Sequence, residues 1–128
     1  MFNLSLEIVC NIIKKAREIN ISDALNLPDD ETNLSDAEWM QVLAEYQTDD
    51  SYIELKDLIT QLEPDQQVDL IALMFIGRGD FTKSEWNEAR HEAHAIKKST
   101  RADYLLSKNM LSDYLTEGLA VFGFTCDE

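Results

Sequence analysis

The sequence predicts an all-α protein, a compact bundle of about six to seven helices around a central apolar helix. Three observations carry that expectation. Apolar residues recur at three- and four-residue spacing through most of the chain, and strand-like alternation is sustained nowhere. Helix punctuation falls between those stretches: Ser or Thr three residues ahead of Glu, Pro in a first turn, Gly at an end. One expected helix, residues 64–76, is apolar on every side from residue 68 on except at Asp69, as suits a helix enclosed by others.

The first helix is expected from about residue 6 to residue 19. Leu6, Val9, Cys10, Ile13 and Ala16 form one stripe, which Ile12 and Ile19 widen. Residues 20–35, with Pro28 and the run Asp29, Asp30 and Glu31, read as an acidic loop. Ser35 and Glu38 have capping-box spacing ahead of a helix carrying Trp39, Met40, Val42, Leu43 and Tyr46. Ser51 and Glu54 repeat the device for Ile53, Leu55, Leu58, Ile59 and Leu62.

Pro64 suits the first turn of the central helix, where its missing N–H has no partner to lose. Leu70, Ile71, Leu73, Met74, Phe75 and Ile76 follow, and Asp69 is the only charge between residues 68 and 76. Gly77 and Gly79 are expected to end this helix by taking positive φ. A third box, Thr82 and Glu85, opens a helix with Trp86, Ala89, Ala93 and Ile96 on one face. A short helix is expected near residues 101–106 and a last one over about 110–122, stopped by Gly123. Gly118 lies in its apolar face. An interior glycine costs about 1 kcal/mol relative to alanine, so it marks a close crossing with another helix. At 128 residues, the whole chain, 1–128, reads as one helical domain.

The net charge of −14 is unevenly spread: residues 1–22 carry +1, residues 23–69 carry −13 and residues 70–128 carry −2. A field of that sign repels phosphate backbones and anionic membranes, so neither nucleic acid nor membrane is an expected partner. No apolar run approaches the roughly 20 residues needed to span a bilayer. The basic residues Lys14, Lys15 and Arg17 follow the first apolar stretch rather than precede it, unlike a signal peptide. Cys10 reads as a small buried hydrophobe and Cys126 sits near the end; the two could pair, but nothing resembles a disulfide framework. These features place the chain, reduced and soluble, in the cytoplasm.

Two local patterns invite chemistry. Gly77-Arg78-Gly79-Asp80, between a buried helix and a capped one, can offer amides and a guanidinium to an anion. Arg78 and Asp80 are therefore the candidate binding residues. The structural alternative is a tight interhelical turn in which Arg78 and Asp80 bind neighbouring backbone or each other. Glu88 and His91 have the Glu-x-x-His spacing of carboxylate di-iron bundles, with His94 three residues on. No second copy exists, and the helical wheel puts His91 roughly opposite the apolar face and His94 on its flank, so no metal is expected. Neither a nucleophile-elbow serine nor a dinucleotide loop is present, and no catalytic residue or cofactor is assigned. Lys97, Lys98 and Arg101 gather at a helix end, where cations oppose the dipole.

From about Leu62 to Gly123 the chain resembles a family of small acidic bacterial proteins known only as a domain of unknown function. The matching residues are Leu70-Ile71-Ala72-Leu73-Met74-Phe75-Ile76-Gly77-Arg78-Gly79-Asp80, then Glu85-Trp86, Tyr104-Leu105-Leu106, Tyr114-Leu115 and Glu117-Gly118-Leu119. Residues 6–18 are similar to the family's opening helix. The resemblance implies a bacterial helical domain and carries over no catalytic residue. The resulting expectation is a non-enzymatic interaction or adaptor module with a protein partner. The alternatives are a small-ligand sensor or enzyme with an anion site at the Gly77–Asp80 turn, and an acidic decoy of a nucleic-acid-binding protein. The sequence leaves the oligomeric state open.

Overall fold

The structure is a computed structural model that describes residues 4–18, 50–108 and 110–126. These form an all-α fold: α1 (Leu6–Glu18), α2 (Asp50–Thr60), α3 (Pro64–Arg78), α4 (Trp86–His94), α5 (Arg101–Leu106) and α6 (Leu111–Val121). Short 3-10 turns at Lys83–Glu85 and Lys98–Thr100 lead into α4 and α5. The acidic loop expected over 20–35 lies outside the described residues. So does the helix expected to carry Trp39, Met40, Val42, Leu43 and Tyr46.

Helix α3 is the centre. Every residue from Gln67 to Ile76 is buried, with α6 and α4 packed most extensively against it. Helix α1 lies on α6 and α2, and α2 lies on α5. Pro64 stands in the first turn of α3, where the Glu63 N–H donates to Gln66 Oε1 at 2.9 Å. The buried Gln67 donates from Nε2 to the carbonyls of Ile59 (3.1 Å) and Thr60 (3.3 Å). It thereby satisfies end carbonyls of α2 and fixes the α2–α3 corner. At its other end α2 is described from Asp50, and the side-chain cap expected of Ser51 lies outside the described residues.

Gly77 does not end α3. It sits within the helix, where an added Cβ would overlap the Tyr114 carbonyl of α6 and come within 2.8 Å of the Gly118 amide. A Cβ on Gly118 would in turn lie 2.5 Å from the Leu73 carbonyl. The close crossing expected for Gly118 is therefore built by both glycines, and backbone meets backbone between α3 and α6.

Two buried charges hold elements together. Asp69 is fully buried and accepts from Arg90 Nε at 2.5 Å, tying α3 to α4. Arg101 is also buried and donates to the carbonyls of His94 (3.3 Å), the last residue of α4, and Ile96 (3.1 Å), just beyond it. This is a specific cap where the sequence suggested only general dipole compensation. The reading of Cys10 and Cys126 as reduced thiols is corrected: they form a disulfide across 116 residues of sequence, with Cα atoms 5.6 Å apart. Docking of α1 along α6 brings Cys10 and Cys126 together, which local sequence does not reveal. Among the described residues no helix is long and apolar enough to cross a membrane.

Candidate functional site

The site is the exit from α3. Gly79 adopts φ 91°, a left-handed conformation that glycine takes without a Cβ clash. Its N–H donates to the Ile76 carbonyl at 3.1 Å, and the Asp80 N–H reaches back to Phe75 at 3.0 Å. This paired pattern is a Schellman stop. It satisfies terminal carbonyls through backbone alone, so Arg78 is not needed for them.

Arg78 instead turns to Asp80. Its Nε and Nη2 both donate to Asp80 Oδ2, at 2.8 and 2.6 Å. The guanidinium carbon lies 5.5 Å from the Phe75 ring centroid, within cation–π range. The Phe75 ring meets Phe81 at 5.9 Å and the edge of Tyr104 at 6.4 Å. Lys108 Nζ stands 4.5 Å from the Tyr104 ring centroid. The result is an ion pair seated on an aromatic shelf, with side chains 28% (Arg78) and 42% (Asp80) exposed.

Partial burial works against the charge on Arg78. The hydrogen bond and attraction of Asp80, followed by those of Tyr104, outweigh it and hold the guanidinium pKa above the ordinary arginine range. Arg78 is a cation whenever the protein is folded. It is also an oriented one, because Asp80 fixes one edge and Phe75 one face. Such a group can receive a carboxylate or phosphate with geometric selectivity that a lysine lacks.

The neighbouring surface has a different character. An open depression of about 430 Å³ is lined by Phe81, Asn87, Glu88, His91 and Glu92. Its two carboxylates disfavour an anion, and Arg78 does not line it. His91 and His94 are exposed, where the helical wheel puts them. No group of three or more His, Cys, Asp or Glu among the described residues is placed to hold a metal.

The sequence singled out Arg78 and Asp80, and the structure brings them into direct contact. It did not single out Phe81, Tyr104 or Lys108. The four-residue spacing of Tyr104 and Lys108 was the available signal for a cation over a ring, but nothing local links that pair to α3. These described residues define an all-α domain whose central helix ends in an arginine–aspartate pair on aromatic rings. The chain belongs to the family described as Protein of unknown function (DUF3775), whose model matches residues 52–124. That span holds α2 from its third residue, all of α3 to α6 and the whole candidate site, and leaves out α1 and both cysteines. No curated protein and no solved structure matches the chain.

Proposed function

We propose that this chain is a non-enzymatic protein-interaction module and that Arg78 is the anchor of its docking surface. The supporting observation is the partly exposed Arg78–Asp80 pair held on Phe75 beside Tyr104. Arginine and tyrosine are enriched among the residues that dominate binding energy at interfaces. A guanidinium already fixed by Asp80 and a ring loses little further freedom on docking. The acidic depression beside it gives less support to a small anionic ligand, since Glu88 and Glu92 line the cavity and Arg78 does not. The working compartment in this reading is the cytoplasm.

Affinity capture from the source cells tests the proposal, with wild type, Arg78→Ala and Arg78→Lys as baits and thermal melting run in parallel. The expected outcome is one partner protein retained by wild type, lost with alanine and weakened with lysine, while melting changes little. An identical capture profile for all three baits would remove Arg78 from the function.

A further inference from the structure

Helix α6 stops at Gly123, whose φ of 83° turns the chain back, and the Phe124 N–H donates to the Leu119 carbonyl at 2.9 Å. The turned segment carries Cys126 to Cys10 on α1. Both cysteines are half-buried and pack against the core without belonging to its fully buried set. The bond is also not the sole fastening of α1. Val9, Ile12 and Ile13 are buried in the common core, and Lys15 Nζ meets Glu54 Oε1 of α2 at 2.8 Å. Arg17 Nη2 lies 3.5 Å from Thr116 Oγ1 of α6. The family-matched residues 52–124 contain neither sulfur. Opening the bond therefore removes a tie between two end segments and leaves the helical core its own contacts.

We infer that Cys10–Cys126 is a reversible redox site, opened by a dithiol reductant, that latches the tail after Gly123 and helix α1 onto the core. The chemistry is thiol–disulfide exchange. A thiolate of the dithiol attacks the Cys126 sulfur, the S–S bond breaks, and Cys10 leaves as a thiolate that takes up a proton. The second thiolate of the reductant then attacks the mixed disulfide. It releases Cys126 as a thiolate, which is protonated, and closes the reductant's own disulfide. One disulfide and one dithiol become one dithiol and one disulfide. In an oxidising compartment the latch is shut, and in a reducing one it stands open. The open state frees residues 124–126 from their covalent tie to α1 and loosens α1 without unfolding α3.

The test uses the full chain purified without reductant. Maleimide mass tagging under native conditions counts free thiols, and hydrogen exchange read by mass spectrometry locates the change. The untreated protein is expected to take no tag. After native treatment with dithiothreitol it should take one tag on each of its two cysteines. Exchange should then rise over 119–126 and 6–18 but not over 64–78, and oxidised glutathione should reverse it. Cys126→Ser should show the open pattern at all times and ignore dithiothreitol, with Cys10→Ser as the second variant should one fold poorly. Three results overturn the inference: tags on the untreated protein, a bond that opens only in denaturant, or opening with no change in exchange at either segment.

Discussion

Two of the charges on helix α3, Asp69 and Arg78, have surroundings that give them opposite tasks. Asp69 is enclosed, and its carboxylate answers Arg90 from α4. Arg78, nine residues later, reaches the surface and is held by its own neighbour Asp80. Removing one member of a buried pair leaves the other without compensation. Because the Arg90 side chain is 32% exposed, water takes up part of that loss. Asp69→Asn should therefore cost about 1–3 kcal/mol, the scale of an unmet buried hydrogen-bond partner. Urea unfolding at fixed pH reads this as a lower midpoint with an unchanged slope. An unmoved midpoint would deny the pair a stabilising role. Leu73, 1% exposed, has no such relief. Leu73→Ala should cost about 2–5 kcal/mol through the cavity it leaves, and a loss below that range would mean the surrounding helices collapse into the gap.

Among the elements, the crossing of α3 and α6 is the tightest constraint. Gly77→Ala places a Cβ where the Tyr114 carbonyl stands, and backbone cannot swing aside as a side chain can. The helices must separate, so the cost should reach or exceed the roughly 1–3 kcal/mol typical of overpacking. Circular-dichroism melting of Gly77→Ala beside Gly79→Ala separates space from backbone conformation, since a Cβ on Gly79 meets nothing within 4 Å but φ there is 91°. Gly77→Ala should melt well below wild type, and equal melting of the two would contradict the crossing. This element also shows what the sequence could reveal. The Thr82/Glu85 box was legible because its partners are three residues apart, and the Thr82 N–H does donate to Glu85 Oε1 at 2.8 Å. The close approach at Gly118 was legible as an unexplained glycine in an apolar face. Gly77 was misread as a stop because its reason lies on another helix.

For the whole molecule, charge and topology together set the stability profile. Helix α2 rests on α5 partly through Lys56 Nζ and Asp103 Oδ1, 3.0 Å apart. That hydrogen bond raises the lysine pKa, and burial raises that of the neighbouring Tyr52 phenol. Both groups hold their proton more tightly when folded than when unfolded. The stability they lend is thus complete below about pH 10 and is lost as pH climbs through the raised values. Alkaline titration should loosen α2 first, seen as faster hydrogen exchange over residues 50–60 relative to 64–78 after correction for intrinsic rates. Uniform loosening of both helices would contradict it. Topology also marks the limit of sequence reading. Arg78 and Asp80 were visible together because they are two residues apart. Tyr104 joined them only through the docking of α5 on α3, and Cys126 met Cys10 only through α1 on α6.

The proposal that the α3 exit is a docking surface is tested most directly by photo-crosslinking in the source cells. A photoreactive residue replaces exposed Ser84, beside the site, or exposed Asn11 on α1 as control. The account predicts one discrete adduct from position 84, none from position 11, and loss of the adduct when Arg78→Ala is added. Equal adducts from both positions, or an adduct at 84 that survives Arg78→Ala, would contradict it.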